Sequence, residues 1–229
     1  MWVKICGVTR IDDVNCIAAA GADALGLNFF PGSRRFLDLH SAAPLASAAR
    51  RHGRLDVVGV FVNSTADQVL AVTRMLQLDV IQFHGDETPE LVAAVHAAVP
   101  GVRLVRAVRV SEDRLMGVAD ELQQLKARVP LFAVLVDAFV DGQYGGTGNS
   151  LSLGSDELKD LAAGSQLILA GGLTHSNVCQ LARKYDAWGV DTAGGVESSP
   201  GIKDAGLVSR FVRTCRVCSD LPAPADQRD

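Results

Sequence analysis

Leu131-Phe132-Ala133-Val134-Leu135-Val136-Asp137 is an unbroken apolar run that ends on a carboxylate. It is too short for a buried helix, and it lacks the in–out alternation of a half-solvated strand. A run of this kind reads as a strand of a parallel sheet covered on both faces by helices. Working outward, comparable runs occur at residues 3–6, 24–29, 57–62, 80–84, 103–108, 132–137, 166–170 and 188–191. Amphipathic helical patterns separate them, at residues 11–20, 42–51, 66–76, 89–98, 114–128, 157–162, 177–184 and 205–216. Strict strand–helix alternation implies right-handed crossovers and either an open doubly wound sheet or a closed barrel. Eight such units in 229 residues, with no Pro- or Gly-rich linker between them, fit a single α/β domain with the (βα)8 TIM-barrel architecture. The barrel is expected over residues 1–218. Residues 219–229 (SDLPAPADQRD) read as a disordered C-terminal tail.

Composition narrows the function. A hydrophobic content of 48% supplies a substantial core, and a net charge of −4 with scattered basic residues argues against nucleic acid as a partner. No apolar run is long enough to span a membrane, and Lys4 and Gly7 interrupt any signal-peptide core, so a cytoplasmic protein is expected. The five cysteines are odd in number and dispersed, which does not suggest a dense disulfide framework. Cys215-x-x-Cys218 has no second pair, so no metal site is read from it. A monomer and a homodimer both fit the sequence.

The chemically distinctive residues fall at the carboxyl ends of the expected strands: Cys6, Arg35, His84, Asp137 and Asp191. In a barrel those ends converge on one mouth. Asp137 follows apolar walls, where desolvation raises a carboxyl pKa and suits it to general acid work. Cys6 would face it as a base. That role calls for a thiol pKa lowered from about 8.5 by nearby cations and by the helix that Thr9 is placed to cap. Arg35 is placed to hold a substrate carboxylate with its planar fork. Glycines follow the last three strands, at Gly145-Gly146-Thr147-Gly148, Gly171-Gly172 and Gly194-Gly195. Paired glycine loops after strands seven and eight suit a phosphate clamp built from backbone amides. They match neither the dinucleotide nor the Walker pattern, so no nucleotide cofactor is expected.

Six motifs in order then resemble one family. They are Lys4-Ile5-Cys6-Gly7-Val8-Thr9, Gln82-Phe83-His84-Gly85-Asp86-Glu87, Val136-Asp137-Ala138, Gly145-Gly146-Thr147-Gly148, Leu169-Ala170-Gly171-Gly172-Leu173 and Gly189-Val190-Asp191 with Gly195-Val196-Glu197. Together they resemble the phosphoribosylanthranilate isomerases of tryptophan biosynthesis over nearly the whole barrel. The resemblance implies a cofactor-free enzyme that performs an Amadori rearrangement on a small phosphorylated substrate. It implies Cys6 as general base and Asp137 as general acid. Arg35 would hold the anthranilate carboxylate, Asp191 would sit near the amine or hydroxyls, and His84 would line the mouth. Gly146, Gly171, Gly172, Ala193 and Gly194 would hold the phosphate. The chain departs from the family pattern at Arg34 (usually Pro), at Ala193-Gly194 (usually two serines) and through residues 149–153. A barrel acting on a related phosphoribosyl amine, or binding a phosphosugar without turnover, remains an alternative at this point.

Overall fold

The computed structural model describes residues 1–110, 115–137 and 154–220. Eight parallel strands close into a barrel in sequence order: β1 (Trp2–Cys6), β2 (Ala24–Asn28), β3 (Asp56–Phe61), β4 (Val80–Phe83), β5 (Arg103–Arg109), β6 (Ala133–Asp137), β7 (Gln166–Ala170) and β8 (Gly189–Thr192). Around it run α1 (Ile11–Ala20), α2 (Leu39–Arg51), α3 (Ala66–Leu76), α4 (Pro89–Ala98), α5 (Leu115–Lys126), α6 (Ser155–Ala162), α7 (Val178–Lys184) and α8 (Ala205–Asp220). The seam between first and last strands aligns Trp2 with Gly189 and Lys4 with Asp191.

The period-two alternation of each strand sorts the core into two layers. Outward residues such as Val3, Ile5, Leu25, Val57, Ile81 and Val134 pack against the helices. Inward residues such as Ala24, Val58, Val80, Val105, Ala133 and Leu135 fill the barrel. Aromatic rings close its amino end. Trp2 stacks on Trp188 at 5.6 Å, Phe132 meets Trp188 edge-on at 5.4 Å, and the Arg103 guanidinium lies 4.9 Å from the Phe132 ring centre. Parity therefore leaves the polar inward residues at the carboxyl end.

Local chemistry sets the helix starts. Thr65 and Gln68 form a reciprocal capping box on α3, and Thr88 caps α4 ahead of Pro89. Thr9 departs from the sequence expectation. Arg10, whose guanidinium has no acceptor, occupies the cap position of α1 without a capping bond, and the Thr9 hydroxyl donates instead to the Gly201 carbonyl at 2.5 Å. That carbonyl belongs to a hairpin, β9 (Glu197–Ser199) and β10 (Ile202–Lys203), turned by Pro200 and the left-handed Gly201. The strand–helix pattern gave no sign of this hairpin. Helix α8 continues through Ser219 and Asp220, two residues into the segment read as tail, and the rest of that segment lies outside the described residues. Cys179 of α7 and Cys218 of α8 form a disulfide, so Cys218 pairs across helices rather than within Cys215-x-x-Cys218. Among the described residues, no helix is long and apolar enough to cross a membrane.

Truncating Trp2 to Ala removes the ring that bridges Trp188 and Phe132. Because Trp2 is only part-buried, the expected loss is about 3 kcal/mol, the low end for aromatic truncation. Urea unfolding of Trp2→Ala checks this, and an unchanged midpoint contradicts it.

Candidate active site

At the carboxyl end, β1 turns Lys4 and Cys6 inward, two residues apart. The Lys4 ammonium donates to Asp191 Oδ2 at 2.8 Å, with both side chains buried. Burial opposes the Lys4 charge, but Asp191 and the neighbouring Cys6 outweigh it and hold its pKa above the ordinary value. Lys4 therefore stands as a permanent cation beside the thiol. Cys6 itself differs from expectation. Burial pushes its thiol pKa up, and the Lys4 and Lys203 charges only partly offset that, with Asp191 working against them. The cations are present, but desolvation outweighs them. Residue 26, aligned with Cys6 on β2, has to be small: a Cβ there would lie 2.8 Å from Cys6 Sγ and 3.2 Å from Lys4 Cε.

Across the mouth, β4 presents Gln82 and His84 on the same inward face. The Gln82 amide nitrogen lies 3.1 Å from His84 Nδ1. With that amide as donor, the ring proton sits on Nε2, which lies 4.0 Å from Asp137 Oδ2. Burial, aided by Lys4, Arg109 and Arg106, lowers the His84 pKa to about 4. The ring is thus a neutral donor at physiological pH. Asp137 ends β6, aligned with Arg109 on β5 and Ala170 on β7. Of the side-chain atoms buried without a partner among the described residues, Asp191 Oδ1 and Gln82 Oε1 belong to this group of residues.

Arg35 is already engaged. Its Nε and Nη2 donate to the two carboxylate oxygens of Glu197 at 2.8 and 2.6 Å. Its stem crosses Gly7, where a Cβ would fall 2.1 Å from Arg35 Cδ and where φ is +72°. A ligand carboxylate would be met beside Glu197, not by an unoccupied fork.

The loops after β7 and β8 come together. Gly171 and Gly172 adopt left-handed φ values of 91° and 56°. The Gly172 carbonyl accepts from Asn177 Nδ2 at 3.1 Å, and the Thr192 hydroxyl donates to the Leu173 carbonyl at 2.7 Å. Gly195 packs directly against that same carbonyl, which lies 1.9 Å from where its Cβ would be. Ala193 leads into a short 3-10 turn, Gly194–Val196, and Arg35 Nη2 lies 3.6 Å from the Cβ position of Gly194. Gly171, Gly172, Ala193 and Gly194 therefore share one side of the mouth. Gly146 lies outside the described residues.

An open cleft of about 420 Å³ runs over the β2–β5 side of the mouth, lined in part by Asn28, Val60, His84, Arg106 and Arg109. His84 joins this cleft to Asp137. No cluster of His, Cys, Asp and Glu among the described residues could hold a metal ion.

The family described as N-(5'phosphoribosyl)anthranilate (PRA) isomerase matches residues 3–214. The chain belongs to this family. It is 41% identical to the N-(5'-phosphoribosyl)anthranilate isomerase of Acinetobacter calcoaceticus, over 92% of this chain and 94% of the relative. It is also 41% identical to that of Magnetococcus marinus, over 95% and 96%. Among solved structures, the phosphoribosyl anthranilate isomerase of Thermotoga maritima superposes with a TM-score of 0.80 at 32% identity, covering 95% of this chain and 99% of that one. Another phosphoribosyl anthranilate isomerase structure, in complex with reduced 1-(o-carboxyphenylamino)-1-deoxyribulose 5-phosphate, gives 0.77 at 29% identity, with 95% and 99% covered.

Four participants escaped the sequence reading: Lys4, Gln82, Glu197 and Lys203. The first two carried a usable signal, since each lies two residues before a candidate residue on the same strand face. The other two sit on the hairpin, whose packing no local pattern reveals.

The depressed His84 pKa has a stability consequence. Between about pH 6.5 and 4 the unfolded chain takes up a proton at this ring that the folded chain refuses. Its contribution is therefore fully present above pH 6.5 and is lost as pH falls through that window. NMR titration of the His84 ring is expected to show no protonation until about pH 4, and His84→Asn is expected to flatten the acid limb of stability. A midpoint near 6.5 contradicts the neutral, part-buried ring.

Proposed function

We propose that this chain isomerises N-(5-phosphoribosyl)anthranilate to 1-(2-carboxyphenylamino)-1-deoxyribulose 5-phosphate by general acid–base catalysis at Cys6 and Asp137. The observation that carries the reading is the placement of these two residues. A thiol ends β1 and a carboxyl ends β6 at one barrel mouth, beside paired glycine loops. Asp137 protonates the furanose ring oxygen, and the C1–O bond breaks as the nitrogen lone pair forms an iminium. That cation acidifies the C2 proton, which Cys6 removes as thiolate. The resulting enolamine takes a proton at C1 and loses its hydroxyl proton to give the ketone.

The raised thiol pKa fits this division of labour. A thiolate whose conjugate acid is weaker takes a carbon-bound proton with more driving force, at the expense of the fraction ionised at neutral pH. The Lys4 ammonium stabilises that fraction. Asp191 Oδ1 and Gln82 Oε1 accept from the substrate's amine or hydroxyls, and neutral His84 donates toward Asp137. The amides around Gly172, Ala193 and Gly194, with Gly146, hold the phosphate, and Arg35 beside Glu197 meets the anthranilate carboxylate. Fewer hydroxyls line this phosphate loop than is usual in the family, so backbone amides carry more of the binding. The catalytic unit is the barrel through the end of α8. It works in the cytoplasm without a cofactor, as a monomer or a homodimer, and its partner is the phosphorylated substrate rather than a membrane or nucleic acid.

Loss of anthranilate fluorescence on adding freshly generated phosphoribosylanthranilate measures turnover. Cys6→Ser and Asp137→Asn are each expected to lower kcat at least 10²-fold with the fold intact, the scale of a lost proton-transfer group, roughly. A folded wild type without turnover contradicts the reading and favours a different amine or a binding role.

A further inference from the structure

Lys203 lies on β10, outside the barrel, yet its side chain is completely buried. Its ammonium donates to the Cys6 carbonyl at 2.6 Å, the Ala193 carbonyl at 3.2 Å and Glu197 Oε1 at 2.8 Å. Three donors thus meet three acceptors on three different segments, which uses the full capacity of an ammonium group. Glu197 is 5% exposed and holds the Arg35 fork with both oxygens, while Oε1 also accepts from the Gly201 amide at 3.2 Å. Arg35 in turn lies across Gly7 and beside Gly194. One buried cation therefore fixes the backbone that carries Cys6 and the entrance to the phosphate loop. Through a single carboxylate, it also fixes the guanidinium placed for the substrate carboxylate.

Stability alone does not call for this arrangement. Apolar replacement of a buried ion pair is often neutral or stabilising, because desolvation offsets much of the Coulombic gain. The hairpin that supplies Lys203 and Glu197 is otherwise largely exposed, at Ser198, Ser199, Pro200 and Ile202. What the cluster does uniquely is set distances between groups that touch different parts of one ligand. A displacement of about 1 Å between such groups can cost on the order of 10² in rate.

We infer that Lys203 and Glu197 are positioning residues that hold Cys6, the Ala193–Gly194 loop and Arg35 at the spacing the reaction requires. The inference rests on the roles proposed above for those three elements.

The test compares Lys203→Met, Glu197→Gln and the double variant, with thermal melting to establish folding. Lys203→Met is expected to lower kcat/KM by about 10- to 100-fold and to weaken inorganic phosphate binding, measured by calorimetry, because the Ala193 carbonyl loses its anchor. Glu197→Gln keeps both carbonyl contacts of Lys203 and one acceptor oxygen for Lys203, Gly201 and Arg35 Nε, but it removes the carboxylate charge and sets an amide against Arg35 Nη2, so it loosens chiefly Arg35. It is expected to raise KM with phosphate affinity unchanged. The double variant is expected to be no worse than the worse single one, since both break the same path. Full kcat/KM and phosphate affinity in a folded Lys203→Met overturn the inference. If Lys203→Met does not fold, the isosteric Glu197→Gln decides it, and an unchanged KM in that variant overturns it. A wild type without turnover would defeat the isomerase reading separately, and the phosphate affinities of the variants would still decide the positioning role.

Discussion

The ion pair between Lys4 and Asp191 spans the seam where the first strand meets the last, joining residues 187 apart in sequence. Both side chains are buried, so removing either partner leaves an uncompensated charge inside the barrel, a loss of about 3–5 kcal/mol. The same contact places a fixed ammonium next to the Cys6 thiol and leaves Asp191 Oδ1 unpartnered at the base of the mouth. Barrel closure and site electrostatics are thus one interaction. The apolar inner layer beneath it excludes water, which strengthens the pair's mutual attraction and raises the thiol pKa.

Around this pair the mouth is organised as two polar clusters facing each other. On the β1–β8 side, Lys4, Lys203 and Arg35 surround two carboxylates, Asp191 and Glu197, and the thiol sits between them. On the β4–β6 side, the Gln82 amide orients a neutral His84 toward Asp137. One side is rich in fixed positive charge, where a phosphate, a carboxylate and a transient thiolate gain. The other sets a neutral His84 beside the proposed acid, with Arg106 and Arg109 of β5 near enough to help hold that ring unprotonated.

Much of this was legible in the residues. Apolar runs ended by Cys6, His84, Asp137 and Asp191 are visible as strands whose last inward position is polar, and barrel closure then brings them together. The glycines at 171–172 and 194–195 were readable for the same reason, because their spacing after β7 and β8 is local. What the sequence did not disclose depends on contacts between distant segments. Thr9 was placed to cap α1, but its hydroxyl is taken by Gly201, 192 residues away. Arg35 is placed by sequence to hold a substrate carboxylate, and that its fork is held by Glu197, 162 residues away, is not readable there. The thiol was expected to be acidified by cations. Those cations exist, but the desolvation that outweighs them is a property of the packed barrel. Cys218 was weighed against Cys215, its neighbour in sequence, while its partner Cys179 lies on another helix.

The claim most central to this account is that the buried Lys4 ammonium stabilises the Cys6 thiolate. The direct measurement is the pH dependence of Cys6 alkylation by iodoacetamide, followed by peptide mass mapping. It would be made in the wild type, in Lys4→Met, and in Lys4→Met combined with Asp191→Asn, which removes the orphaned carboxylate. Lys4 lowers the thiol pKa more than Asp191 raises it, so the account predicts a midpoint displaced to higher pH in both variants. A midpoint that stays in place, or moves to lower pH in the folded double variant, would contradict it.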